Sequence, residues 1–449
     1  MLLLTAFFFG CQTTKKYDLI IYHAKVLDTI TGTISDNQTI LISNGKIEDI
    51  EKTGKSYTAK KTIDANGKLV TPSFIDCHIH PTDVWGDYEK APKFLPQDSL
   101  YLLKKRLSDE YLPYGTTTVM TMGQPESWLK DLVGWQKKRD SNTVNFFICG
   151  GALISKDNRT PYIAHTEITS PEMAKQKILE YHDLGIRHIK LYYRLKEPEF
   201  STVIKLADSL KMRVYGHIGD FSPGYLTLPQ TLKLGLNNYE HLATIPNSII
   251  TSDEDWAKLE QQFKENYGAL DSENKMIEFL LEQFRFIKEN KDIEMQEFIK
   301  ELKKQNATFS TTIHRLYEQI EPTFFTQPKD TTLTEIQLKR SQENYAIMMQ
   351  YVKLIADSGI EIRLGSDMPN GGKVNLSELV ILAKYGFAIT DIFRIATYNG
   401  AKAIGIENEV GSIAKGKKAD LIIWDKSPFD DYDNFISPKT IIKDGITVE

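Results

Sequence analysis

Eight short apolar runs rich in β-branched residues alternate with amphipathic segments along the middle of this 449-residue chain, and that alternation leaves few folds open. The runs fall at 73–78, 116–122, 145–150, 188–192, 213–217, 238–241, 308–313 and 361–367. Between them the apolar positions change to helical spacing, as over 99–112, 170–182, 201–209 and 341–357, and the pattern continues past the last run at 390–404. A helical crossover returns the chain to the same end of a sheet, so strands joined this way pair in parallel. Eight such units close into an α/β fold, the (β/α)8 TIM barrel, whose strand-to-helix loops gather at one mouth.

Both ends follow a different grammar. Runs 18–27, 39–47 and 61–69 are punctuated by Asn44-Gly45 and Asn66-Gly67, and runs 419–425 and 440–443 are followed by Asp444-Gly445. Such pairs accept the positive φ of two-residue hairpin turns. Neither end is long enough to bury a sheet alone, so a composite β-sandwich assembled from both is expected. The expected division is a signal segment and linker at 1–17, sandwich at 18–71 and 406–449, and barrel at 72–405. One connection is abnormally long. From 252 to 305 no proline intervenes, and Trp256, Leu259, Phe263, then Phe279, Leu280, Phe284 recur at helical spacing. Its last helix can serve the barrel, while the earlier part, about 245–290, reads as a helical insertion after the sixth strand. That face of a barrel carries its sites, so a lid or substrate wall is expected there.

Composition narrows the function. With 55 Lys+Arg against 60 Asp+Glu the formal charge is −5, which excludes a broadly basic nucleic-acid binder. At 41% hydrophobic and 26% charged residues, global disorder is excluded too. The three cysteines, Cys11, Cys77 and Cys149, have no clustered spacing, which argues against a disulfide framework or a cysteine zinc site. Gly150-Gly151 and Gly371-Gly372 lack the context of phosphate-binding loops, and no GxSxG turn is present.

Ligand-type residues stand at strand ends. His78 and His80 lie two apart, so both imidazoles face the same way from the end of the first barrel strand. Lys190 in HIKLYYR, His217 in VYGHIGD, His241 in NYEHL and Asp367 in RLGSDMP follow at four further strands. Five strand ends offering such residues to one mouth point to a metal site. Tyr192 and Arg194 are candidates to bind substrate, the arginine through a carboxylate. His314, just past the seventh strand, is a candidate to hydrogen-bond substrate and the developing oxyanion. Cys77 should point away from the metal, Asp220 and Glu378 read as structural, and His23, His165, His182 and His188 as surface or packing residues.

From Asp18 onward the chain resembles the metal-dependent amidohydrolases, particularly the branch related to imidazolonepropionases and to enzymes cleaving N-acyl amino acids or dipeptides. The resemblance rests on NGKLVTPSFIDCHIH at 66–80 and ATYNGAKAIGIENEVGSIAKGKKADLIIWDKSP at 396–428, together with the strand-end set. It implies that His78, His80 and Asp367 bind one divalent ion and His217 and His241 a second, with zinc the expected metal. Lys190 matches the lysine that reacts with carbon dioxide in two-metal members, giving a carboxylated Lys190 that bridges the ions. Imidazolonepropionases proper lack that lysine and use one metal. A metal pair lowers the pKa of bound water from about 15.7 toward neutrality. The implied activity is therefore hydrolysis of an amide-type carbon–nitrogen bond in an N-acyl amino acid, dipeptide or cyclic amide, with Asp367 as proton shuttle. Two alternatives are a mononuclear deaminase or ring-opening hydrolase, and an inactive ligand-binding surface lipoprotein.

The start MLLLTAFFFGCQTT resembles a bacterial lipoprotein signal, with Cys11 as the lipidated residue. It is too short to span a bilayer. The expectation is an exported periplasmic or outer-membrane lipoprotein that meets a membrane only through its lipid, binds a small-molecule substrate and no nucleic acid, and leaves homo-oligomerisation open.

Overall fold

The computed structural model describes residues 16–86, 88–156, 164–219, 225–321 and 333–448. Each of the eight barrel runs forms a strand: β1 (Phe74–Ile79), β2 (Thr116–Thr121), β3 (Asn145–Ile154), β4 (His188–Leu191), β5 (Arg213–Gly216), β6 (Asn238–Tyr239), β7 (Thr308–Ser310) and β8 (Glu361–Arg363). Neighbours pair in parallel from β1 through β8. The ring closes where Cys77 N donates to Leu364 O at 2.9 Å and Asp367 N donates to His78 O at 2.8 Å. A further short strand, His165–Glu167, pairs beside β3.

Strands β6 to β8 are shorter than their apolar runs because the backbone leaves the ladder at the mouth. His241, Thr312 and Asp367 have φ of 61°, 48° and 51°. For a β-branched threonine this region is an outlier, and such conformations cost about 1–3 kcal/mol each, so they persist where surrounding structure enforces them.

The terminal strands join in one mixed, continuously hydrogen-bonded sheet, the composite β unit expected from the two chain ends. Leu421–Trp424 pairs antiparallel with Leu69–Pro72, which runs parallel to Lys16–Leu27, so the C-terminal strands continue the N-terminal ones. The sheet encloses its own apolar core, including Ile21, Ile40, Ile42, Val70, Leu421 and Ile442. Asn44-Gly45 and Asp444-Gly445 form the expected hairpin turns, with φ of 52° and 71°, then 48° and 75°. Asn66-Gly67 has the same positive φ values, 51° and 76°, yet is no hairpin. Its flanking strands, Thr58–Asp64 and Leu69–Pro72, both pair in parallel with Lys16–Leu27.

Three helices, Asp253–Tyr267, Glu273–Asn290 and Asp292–Lys304, fill the long connection between β6 and β7. Ser252 and Ser272 cap the first two by accepting from Asp255 N and Lys275 N. Their apolar stripes meet at Phe263 and Phe279, with ring centroids 5.1 Å apart. Among the described residues no helix is long and apolar enough to cross a membrane. Cys11 and Asp220 lie outside the described residues.

Trp424 ties the sheet to the barrel. It is 1% exposed, packs on Phe74, Phe393 and Phe435, and donates Nε1–H to Thr71 Oγ1 at 3.0 Å. Trp424→Ala should therefore lower unfolding free energy by about 3–5 kcal/mol, read as a shifted urea midpoint.

Candidate metal centre

The end of β1 carries His78 and His80, and β8 continues into Asp367. His78 Nε2 lies 3.3 Å and His80 Nε2 3.0 Å from Asp367 Oδ1. These three side chains offer ligand atoms within 4.8 Å of one another. His241 joins them, with Nδ1 3.8 Å from Asp367 Oδ2 and its ring 4.7 Å from that of His78. The His217 ring is 4.3 Å from that of His241. Lys190 lines the same cleft, is 1% exposed, and its Nζ makes no hydrogen bond among the described residues. All six strand-end residues thus meet in one cleft of about 400 Å³.

Metal binding needs neutral imidazole and ionised carboxylate, and His217, His241 and Asp367 are shifted that way, whereas His80 is shifted up, since burial opposes its charge but the Asp367 carboxylate outweighs it. Burial pushes His241 down to about 3, with His78 adding to the effect, and burial with the neighbouring His241 and Lys190 pushes His217 well down. Burial opposes ionisation of Asp367, but His78 and His80 hold its carboxyl far below the ordinary range.

Buried partners orient these ligands. Glu240, 0% exposed, has Oε2 2.7 Å from His78 Nδ1 and accepts there from Ser310 Oγ at 2.5 Å, while its other oxygen pairs with Arg363. Burial raises the pKa of Glu240, yet Arg363 and His78 hold it well below the ordinary range. With Nδ1–H donated to Glu240, the His78 Nε2 lone pair faces the cleft. His80 Nδ1 is 3.2 Å from Gly123 O, and His241 Nδ1 is 2.8 Å from Thr312 Oγ1. Asp76 Oδ1 accepts from His78 N at 3.0 Å and Ser366 N at 3.1 Å, joining the two chain segments that carry His78 and Asp367. Gly365 permits their approach, since a Cβ there would sit 2.9 Å from His78 Cβ.

The outer cleft departs from the sequence expectation. Tyr192 lines it, its ring 4.9 Å from that of His217. Arg194 does not: it is 1% exposed, with Nη1 3.4 Å from His165 Nδ1. The guanidinium in the lining belongs to Arg315. His314 is also turned inward, 0% exposed, its Nδ1 2.8 Å from Ser377 Oγ. The two corrections have separate local causes: Arg194 lies past the end of β4 at Leu191, where alternation no longer sets its direction, and the chain after β7 coils into a short helix, His314–Tyr317, that presents Arg315 and Leu316 to the cleft. Cys77 is buried with Sγ toward Gly400 O, as expected, and Glu378 is buried and accepts from His314 N at 2.6 Å. Asp83, Tyr193, Asn247, Glu273 and Leu280 complete a lining that strand-end reasoning missed. Glu273 and Leu280 come from the helical insertion, which therefore forms a wall of the cleft. Glu240→Gln should weaken metal affinity roughly 10- to 100-fold, measured as metal retained against a graded chelator series.

Comparison with known proteins agrees with this architecture. The Amidohydrolase family profile matches residues 263–447. A dihydroorotase of Geobacter metallireducens is 36% identical over 73 residues, covering 16% of this chain and 17% of that enzyme, so the match spans about one sixth of that relative's length. An imidazolonepropionase of Thermoanaerobacter pseudethanolicus is 24% identical over 431 residues, covering 91% of each chain. Among solved structures, a Xaa-Pro dipeptidase with bound methionine superposes with a TM-score of 0.64 at 18% identity, over 96% of this chain and 99% of that one. An ochratoxinase of A. niger gives 0.65 at 16% identity, over 96% and 95%. These solved structures share the parallel barrel flanked by one sheet built from both chain ends, and the part of the chain that resembles the Amidohydrolase family runs from the helical insertion through the C-terminal strands.

Proposed function

We propose that the protein hydrolyses an amide-type carbon–nitrogen bond in a small substrate such as a dipeptide, N-acyl amino acid or cyclic amide, using two divalent ions with zinc as the expected metal. The observation that carries this reading is Lys190. A fully buried ammonium with no hydrogen-bond partner is costly, and burial already pushes its pKa down. As an ammonium it has no lone pair for a metal, whereas carboxylation by carbon dioxide turns it into an anion with two oxygens. The donor set around it fits a cation pair: His78, His80 and Asp367 would hold one ion, His217 and His241 the other, and carboxylated Lys190 both. Such ions, when bound, lower the pKa of water and polarise a carbonyl.

The chain's own residues supply the rest. Asp367 accepts the proton of the attacking water and delivers it to the departing nitrogen. Tyr192, Tyr193, Ala243, Leu280 and Leu316 line a partly apolar cleft suited to a small side chain and to excluding bulk water. The printed activities of the similar proteins, among them a Xaa-Pro dipeptidase and an imidazolonepropionase, support a carbon–nitrogen bond in a small molecule. The proposal extends to location, with export and lipidation at Cys11, on the motif at the N-terminus.

Purified protein prepared with bicarbonate should bind about two metal ions per chain, and a single ion would favour the mononuclear alternative. Asp367→Asn should lower turnover of a cleaved amide about 100-fold or more while metal analysis shows substantial retention. Lys190→Ala should lose turnover and second-ion occupancy, both partly restored by added short-chain carboxylic acids. Cells fed radiolabelled palmitate should label the wild type and not Cys11→Ala.

A further inference from the structure

Asp83 sits in the short helix Pro81–Trp85, directly after the ligand pair on β1. Its backbone is fixed by donation from Asp83 N to His80 O at 3.0 Å and from Gly86 N to Asp83 O at 2.7 Å, with Gly86 at φ 75°. The side chain lines the cleft beside His80, yet its Oδ2 is buried and accepts no hydrogen bond among the described residues. The other charged groups of the described lining do not answer it. Arg315 gives Nη2 to Glu273 at 2.7 Å and Nη1 to Glu318 at 2.8 Å, and Lys190 belongs to the ligand cluster. The cleft therefore holds an acidic side chain, rigidly placed next to the ligands, whose acceptor capacity nothing in the described chain uses.

We infer that Asp83 receives a free amino group of the substrate, so that the preferred class is an α-aminoacyl amide, in particular a dipeptide with an unblocked N-terminus. An ammonium carries three donors and a positive charge, which is what a desolvated carboxylate lacks. In an α-aminoacyl amide that nitrogen is borne by the carbon next to the scissile carbonyl. Asp83 lines the same cleft as the ligand cluster, so one small substrate can engage both. An N-acyl amino acid or a lactam offers no cation there and leaves Oδ2 unmatched. This inference rests on the amidohydrolase reading of the site and selects among its substrate classes.

The test compares metal-replete wild type and Asp83→Asn on L-aminoacyl-L-alanines covering the side-chain classes, and on their N-acetyl forms. Wild type is expected to favour the free amine in kcat/KM by roughly 10- to 100-fold. Asp83→Asn should collapse that ratio, chiefly by raising KM for the free-amine series, with metal content per chain unchanged. Calorimetry with the same pairs separates the two levels of the argument. Amine-dependent, Asp83-dependent binding without turnover would support this inference and remove the proposed reaction. Turnover that ignores the amine would overturn this inference and leave the reaction standing. Absence of any amine-dependent difference in turnover and binding would overturn it as well.

Discussion

The site exists because the barrel closes between its first and last strands, and that seam is stitched by a buried carboxylate. Asp76 holds the backbone of His78 and of Ser366 through one oxygen, and its second oxygen accepts from Asn375 Nδ2 at 3.0 Å. Residues nearly three hundred positions apart are thus brought into register, and the ligand trio spanning the seam forms as a result. Burial raises the pKa of Asp76 to about 6, but donors on three sides keep it functional as a clamp. Gly365 lets the two backbones approach at the point where any side chain would collide with His78.

Behind the ligands the barrel interior balances its charges in layers. Arg363 neutralises Glu240, Glu240 orients His78, and Ser310 takes up a remaining lone pair of Glu240. Removing one member of such a set strands a desolvated charge, so the group acts as a unit. Lys190 stands apart from this balance, since Glu240 and Asp367 favour its charge without bonding to it. Its burial among imidazoles makes sense once it is an anion shared with cations, which links the packing of the barrel to its proposed chemistry.

Much of this was legible before folding was considered. Strand-end residues were readable because β alternation fixes where they point, and His78, His80, Lys190, His217, His241 and Asp367 all converge. The insertion's position was readable from uninterrupted helical spacing. What escaped lies where alternation fails. Positive φ at His241 lets the adjacent Glu240 and His241 both reach His78, so Glu240 went unnoticed beside a conspicuous histidine. The short helix after β7 turns His314 inward and presents Arg315, which carried no expectation, to the cleft. Asn66-Gly67 carries a hairpin's dihedrals without its pairing, because local preference sets the turn and tertiary partners set the strands.

The pairing of Leu421–Trp424 with Leu69–Pro72 has a consequence for biogenesis. The strand that leads into β1 pairs early with Lys16–Leu27 but lacks its second neighbour until about 350 more residues have been synthesised, and the aromatic cluster around Trp424 is incomplete until then. Contacts of such sequence separation form slowly. Nascent chains should therefore keep this sheet edge open and chaperone-accessible until Leu421–Trp424 has emerged.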